Sequence, residues 1–65
     1  MNSPEFFKQV LGSQVLVRLV NGSEVTGFLE ALDGGLNVIL RDMGKIVFIR
    51  GNNIYYITKA NEQVL

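Results

Sequence analysis

The chain has 65 residues, of which 48% are apolar and 18% are charged, and its six basic and six acidic residues cancel. A domain of this size has a small core and marginal stability. With no cysteine for disulfides and no histidine for a usual metal site, oligomerisation is the common means of stabilisation that stays open. Zero net charge also excludes the strongly basic field that drives non-specific binding to duplex nucleic acids.

The N-terminal segment predicts a short helix over residues 4–11. Ser3 is a favourable N-cap, Pro4 suits the first helical position, and Glu5 lies near the positive end of the helix dipole. Apolar residues follow at helical spacing, and Gly12 is expected to end the helix in a left-handed conformation. Because two turns are not stable alone, we expect this helix to pack on a sheet.

A period of two replaces the helical period from residue 14 onward. It predicts five strands, over about residues 14–20, 24–32, 36–42, 45–50 and 54–59. Asn21-Gly22 predicts a type I′ hairpin turn between the first two strands, because both residues tolerate positive φ. Gly27, within the second strand, predicts a bend or a close backbone approach.

Turn sequences separate the remaining strands. Asp33-Gly34-Gly35 precedes the third strand and Gly51-Asn52-Asn53 precedes the fifth, while Met43-Gly44 leaves room only for a tight reversal with a bulge at Gly44. Residues 60–65 have no strong signal and are expected to fray. Together the elements predict one all-β domain over residues 1–65, with a short N-terminal α-helix and a strongly bent five-stranded antiparallel sheet that closes into a small barrel.

The fourth strand is apolar on both faces, as Ile46-Val47-Phe48-Ile49 shows. In a five-stranded barrel the fourth and fifth strands border the gap, and an exposed apolar edge promotes aggregation unless another chain covers it. If the fourth strand of one subunit pairs with the fifth of the next, the contact is head-to-tail. Such a contact closes into a ring or continues as a fibre.

Two motifs in this sequence resemble those of the Sm and like-Sm family of RNA-binding proteins. The first is Val15-x-Val17-x-Leu19-x-x-Gly22, Gly27-x-Leu29 and Asp33-x-x-Leu36-Asn37-x-x-Leu40, and the second is Ile49-Arg50-Gly51-Asn52-Asn53-Ile54. They stand in the family's order and span most of the chain, which is more specific than either motif alone. The N-terminal helix and the run Phe48 to Asn53 are most similar to the sixth subfamily of the eukaryotic like-Sm proteins.

The resemblance implies an SH3-like barrel whose fourth and fifth strands join subunits into a ring of six or seven. It favours a hetero-heptamer, although a homo-oligomeric ring of archaeal or phage type stays open. It also implies that single-stranded, uridine-rich RNA lies along the inner rim, in pre-mRNA splicing and mRNA decay. The setting would be intracellular, in the nucleus and cytoplasm of a eukaryote.

The family's RNA pocket carries over to five positions. The resemblance implies that Asn37 hydrogen-bonds a uracil edge, that Asp33 positions the loop or Asn37, and that Arg50 lies against the base. Gly51 and Asn52 would offer backbone or amide groups. The alternative for all five is a structural role, because Asp, Asn and Gly are common turn residues and an arginine beside a turn is often only solvated.

Two positions depart from the family pattern. Gly35 stands two residues before Asn37, where the family usually places an aromatic, His or Met side chain against the base. This subunit would then lack half of the stacking contact, which favours the alternative of a mainly structural ring subunit with little RNA contact. The loop at Met43-Gly44 is also much shorter than in most relatives.

Other function classes have little support in the sequence. No phosphate-binding glycine loop, catalytic histidine or cysteine, or acidic pair placed for acid–base chemistry is present, so we expect no enzyme, no cofactor and no small-molecule substrate. No apolar stretch approaches the roughly 18 residues of a membrane span, and the N-terminus lacks a secretory pattern, so we expect no membrane partner. The aromatic side chains follow structural periods and are expected in the core or at subunit contacts.

Overall fold

The computed structural model describes residues 3–60, which form a short helix and one antiparallel sheet. The elements are α1 Pro4–Gln9, β1 Gln14–Leu19, β2 Glu24–Leu32, β3 Val38–Asp42, β4 Lys45–Ile49, a 3₁₀ turn Gly51–Asn53 and β5 Ile54–Lys59. The strand order is β4-β3-β2-β1-β5. The predicted fold class is therefore confirmed, while the expected frayed tail lies outside the described residues from residue 61 onward.

The helix begins as the sequence predicts and ends earlier. Ser3 caps its first turn through a hydrogen bond from the N–H of Phe6 to the Ser3 hydroxyl, 3.2 Å long. Its last residue is Gln9 rather than Leu11, because the chain tightens into a turn in which Gly12 takes a φ of 83°. No helix in residues 3–60 is long and apolar enough to cross a membrane.

The core lies between α1 and the concave face of the sheet. Alternate residues of β1 and β3 point into it, as a period of two requires. In β5 a register shift against β1 lets both Ile54 and Ile57 point inward, although they are three residues apart. Phe7 of α1 covers one end of this layer and is itself buried. The buried apolar side chains are Phe7, Val10, Val15, Val17, Leu29, Val38, Leu40, Ile49, Ile54 and Ile57.

The long strand β2 bends at Gly27, which has no side chain. A Cβ at Gly27 would lie 3.1 Å from the carbonyl oxygen of Arg41 and 3.2 Å from the Cβ of Leu40, so any side chain there would push β3 away by a few tenths of an ångström. Glu30 then forms a bulge that interrupts the β2–β3 register. The predicted close approach is thus confirmed, and it turns the end of β2 toward the loop that follows.

The hairpin between β1 and β2 is present, but its turn is not type I′. Only Gly22 has positive φ, at 95°, and the loop closes through a 2.8 Å hydrogen bond from Leu19 N–H to the Ser23 carbonyl. The loop therefore has three residues, and the Asn21 side chain instead accepts the N–H of Ser23 at 3.0 Å. The turn type predicted from Asn21-Gly22 is wrong.

The turn between β3 and β4 has the type I′ geometry that the sequence predicted for the turn between β1 and β2. Met43 and Gly44 have φ values of 51° and 82°, and Asp42 pairs directly with Lys45. A two-residue turn with positive φ at both centres is type I′, which needs no extra residue. The predicted bulge at Gly44 is therefore wrong, although its left-handed conformation is confirmed.

Strands β4 and β5 form the two edges of the sheet. They stand at opposite ends of the strand order, and within residues 3–60 they do not pair with each other. Both edges carry large exposed apolar side chains, namely Ile46 and Phe48 on β4, Tyr55 on β5, and Val20 beside it. The molecule thus keeps two strand edges that a neighbouring chain can pair with.

Candidate nucleic-acid interface

The loop between β2 and β3 folds around the carboxylate of Asp33. Its Oδ1 accepts the N–H of Gly35 at 2.9 Å and the N–H of Asn37 at 3.1 Å. Leu36, between them, is held in a left-handed conformation with φ 61°. Because of this tight loop β3 begins at Val38, whereas the sequence predicted a start at residue 36.

The same carboxylate orients the side chain of Asn37. The amide nitrogen of Asn37, Nδ2, donates to Asp33 at 3.2 Å for Oδ1 and 3.1 Å for Oδ2. Because both contacts run to one carboxylate, a single N–H serves them, and the second N–H stays available to a ligand. The arrangement brings Asp33 and Asn37 together, as the resemblance implied, and also gives Asp33 the turn-forming role of the structural alternative.

A second loop meets the first through one hydrogen bond. The backbone N–H of Gly51 donates to the side-chain oxygen Oδ1 of Asn37 at 2.8 Å, across 14 residues of sequence. This bond and the Asp33 contact fix which end of the amide is oxygen and which is nitrogen. Asn37 therefore has one free N–H and one free lone pair, both in a defined direction.

Gly51 is required at this junction for steric reasons. A Cβ there would overlap the carbonyl oxygen of Gly35 and lie 2.8 Å from the carbonyl carbon of Leu36. The two backbones are in contact, so any side chain would push the loops apart. The Gly51 N–H is donated to Asn37, so Gly51 positions the Asn37 amide. The backbone or amide contact to RNA that the resemblance implies for Gly51 and Asn52 stays a prediction.

Arg50 and Asn52 lie beside this junction with their side chains exposed. Arg50 precedes the 3₁₀ turn in an extended conformation, with φ −71° and ψ 139°, and its side chain makes no hydrogen bond or ion pair with any of residues 3–60. A guanidinium in this state is planar, charged and free to lie on a flat ligand. Asn52 likewise keeps its amide unpaired within the described part of the chain.

A small pocket adjoins the Asn37 amide. It has a volume of about 110 Å³ and is lined by Ala31, Leu32, Asp33, Asn37, Ile39 and Phe48. Phe48 is not among the site residues expected from the sequence. The signal was available, because Phe48 and Arg50 are two residues apart and therefore lie on the same face of β4 and its extension.

Metal chemistry finds no support at this site. Residues 3–60 contain no cluster of three or more His, Cys, Asp or Glu side chains that would hold a metal ion. The groups present are one carboxylate, one guanidinium, amides and an aromatic ring. These groups hydrogen-bond and stack, which are the interactions that hold the bases of single-stranded nucleic acids.

Comparison with known proteins points to a single family. The model of the LSM domain matches residues 5–59. The chain is 39% identical to the U6 snRNA-associated Sm-like protein LSm6 of Debaryomyces hansenii, over 85% of this chain and 78% of that protein. It is 35% identical to the LSM complex subunit lsm6 of Schizosaccharomyces pombe, over 89% of this chain and 92% of that protein.

Solved structures agree with the sequence relatives. The Pyrococcus abyssii Sm protein in complex with a uridine heptamer superposes with a TM-score of 0.76 at 31% identity, over 89% of this chain and 99% of that one. A heptameric archaeal Sm protein superposes with a TM-score of 0.71 at 28% identity, over 85% and 96%. Sequence and backbone therefore lead to the same group of proteins.

The Asp33 carboxylate sets the pH range in which this loop holds together. The hydrogen bond from the Asn37 side chain, aided by the Asn37 and Gly35 N–H groups, holds the pKa of Asp33 below its usual value. A lowered carboxyl pKa contributes stability above the unfolded-state pKa of about 3.9, and the contribution is lost as the pH falls through the folded-state pKa. We predict that the Asn37 side-chain amide signals in NMR stay constant from about pH 7 to pH 5 and shift only below about pH 4.

The exposed amide of Asn52 is the internal control for that titration, because it makes no bond to Asp33. Its signals are expected to ignore the Asp33 transition. A midpoint for the Asn37 signals above about pH 4 would contradict the proposed hydrogen bonding.

Proposed function

The chain belongs to the LSM domain family, and from this premise we propose that it is a subunit of an Sm-like ring that binds single-stranded, uridine-rich RNA. The observation that carries the proposal is the 2.8 Å hydrogen bond from Gly51 N–H to Asn37 Oδ1. It joins the loops that carry Asn37 and Arg50 into one surface. The function is binding by hydrogen bonds and stacking, without catalytic chemistry.

The Asn37 amide reads the base. Its free N–H and free lone pair match the acceptor and donor that a uracil edge presents, and Asp33 and Gly51 hold them in a fixed direction. Arg50 lies against the base, where stacking is worth about 1–3 kcal/mol. Asn52 supplies a further amide beside the strand.

The ring follows from the two open edges. Pairing β4 of one subunit with β5 of the next satisfies both edges and covers apolar side chains that they expose, among them Ile46 and Tyr55. This contact is heterologous, so it closes only through a ring of several subunits. A heptameric archaeal Sm protein with the same fold supports that assembly.

Repetition around the ring compensates for weak individual sites. The chain has no net charge, so a single pocket receives little help from long-range attraction to phosphates. Several pockets on one strand add through effective concentration. A uridine heptamer bound to the related Pyrococcus abyssii protein is consistent with one nucleotide for each subunit.

The relatives indicate the cellular setting. Several are described as U6 snRNA-associated, so we assign this chain to pre-mRNA splicing, at the uridine-rich end of a small nuclear RNA, and to mRNA decay. The locations implied are the nucleus and the cytoplasm. A hetero-heptamer with other Sm-like subunits is favoured over a ring of identical copies.

A second candidate function is a ring subunit that contributes structure and little RNA contact. Gly35 favours it, because the loop carries no side chain at the position beside Asn37. The two functions share the ring and differ in whether substitutions at Asn37 and Arg50 change RNA affinity.

We predict that native mass spectrometry finds closed oligomers of six or seven subunits, because a lone molecule leaves both β4 and β5 uncovered. The chain should be measured alone at micromolar concentration and co-expressed with other Sm-like subunits. Rings in either sample support the proposal, and a mixed ring identifies unlike neighbours. A monomer in both samples would contradict it.

We predict that Arg50→Ala and Asn37→Ala each weaken binding of labelled oligouridine to the assembled ring by about tenfold, since each removes a contact worth about 1–3 kcal/mol. Fluorescence anisotropy measures the affinity, with oligocytidine as the comparison for base specificity. Lys8→Ala is the control, because it removes one positive charge from exposed α1 and leaves the site intact. Unchanged affinity in both site variants would favour the structural function.

A further inference from the structure

The site has an unfilled side next to Asn37. Gly35 offers no side chain, so the base has Arg50 on one side and nothing from the β2–β3 loop on the other. A ring on that side would add stacking contact, because base and aromatic faces attract each other. The rest of the described surface around Asn37 contains one candidate for this role.

Phe48 lies on the neighbouring strand and lines the pocket beside the Asn37 amide. The β3–β4 register pairs Ile39 with Phe48. If the same register is extended beyond the strand ends by two residues from this pair, Asn37 stands opposite Arg50. Phe48 is therefore a diagonal neighbour of Asn37, a spacing of about 7–8 Å that aromatic side chains bridge. The pocket of about 110 Å³ that Phe48 lines also has Asp33 and Asn37 in its wall.

The environment of Phe48 distinguishes it from a core residue. Its side chain is 61% exposed, and among residues 3–60 it makes no aromatic pair. The other lining residues are the apolar Ala31, Leu32 and Ile39 and the polar Asp33 and Asn37. A flat ring entering there therefore meets an aromatic side chain, apolar side chains and the amide of Asn37 together.

We propose that Phe48 is the aromatic platform for the base that Asn37 recognises, replacing the side chain that Gly35 lacks. The proposal rests on the RNA-binding function above and assigns to that site a residue first expected in the core or at a subunit contact. β4 then has two functions. Its backbone pairs with a neighbouring subunit, and its Phe48 side chain faces the nucleotide.

The test compares Phe48→Leu with Phe28→Leu in the assembled ring. Both variants exchange an exposed aromatic ring for a smaller apolar side chain, but Phe28 lies on β2 outside the pocket. We expect Phe48→Leu to weaken oligouridine binding at least about fivefold, as loss of one stacking contact requires, and Phe28→Leu to bind like the parent chain. Native mass spectrometry of each variant checks that the ring is intact.

Two further measurements read the contact directly. Light-induced crosslinking of oligouridine carrying 5-iodouridine is expected to label the peptide that contains Phe48. Adding Gly35→Tyr to Phe48→Leu is expected to restore affinity, because it supplies an aromatic ring next to the Asn37 amide from the position that Gly35 leaves empty. A Cβ at Gly35 would lie 3.3 Å from Asn37 Nδ2, so the amide has to move by only a few tenths of an ångström.

The outcomes separate this proposal from the function on which it rests. Parent-like affinity in Phe48→Leu, with Arg50→Ala still weakened, overturns the platform and leaves the RNA function standing. Parent-like affinity in both variants overturns the function as well. If Phe48→Leu dissociates the ring, Phe48 is a subunit contact and the platform is also overturned.

Discussion

One hydrogen bond, from the N–H of Gly51 to the side chain of Asn37, makes a single site out of two distant pieces of sequence. It forms only because Gly51 has no side chain to hold the β2–β3 loop away. The amide it orients is held from the other side by Asp33. Everything attributed to the RNA site, from the direction of the free N–H to the nearness of Arg50, depends on this contact.

The size of the domain explains why the same molecule needs neighbours. The ten buried apolar side chains among residues 3–60 form a small core, and a chain of this length cannot enclose all its apolar residues. Part of the exposed remainder, namely Ile46, Phe48 and Tyr55, lies on β4 and β5, the strands whose edges are unpaired in the described residues. Ring closure covers part of this exposed apolar surface. The β2–β3 loop and the β4–β5 loop are already joined to each other in each subunit.

The sequence predicted the elements well because alternation and helical spacing are local properties. It failed where two local options compete. Asn21-Gly22 accepts a type I′ turn, but the Asn21 side chain bonds to Ser23 instead, while Met43 takes the left-handed conformation that its residue type disfavours. β3 began late because Asp33 captured two backbone N–H groups of its loop.

Most residues of the candidate site could be predicted from the sequence, but the role of each residue could not. The motif resemblance supplied Asp33, Asn37 and Arg50, and the structure brings the loops that carry them together. The resemblance could not reveal that the Gly51 N–H is already donated to Asn37, because this contact joins loops far apart in sequence. The spacing of Phe48 and Arg50 places both on one face, but the position of Phe48 beside Asp33 and Asn37 depends on contacts between distant strands and loops. Such contacts leave no periodic signal in a single chain.

The most direct test of the account is the oligouridine affinity of a Gly51→Ala ring, with Gly34→Ala as control because a Cβ there meets nothing within 4 Å. Circular dichroism and native mass spectrometry verify that the sheet and the ring persist. Gly51→Ala is expected to lose about as much affinity as Asn37→Ala, although every side chain proposed to contact the base is still present. Parent-like affinity in an intact Gly51→Ala ring would contradict it.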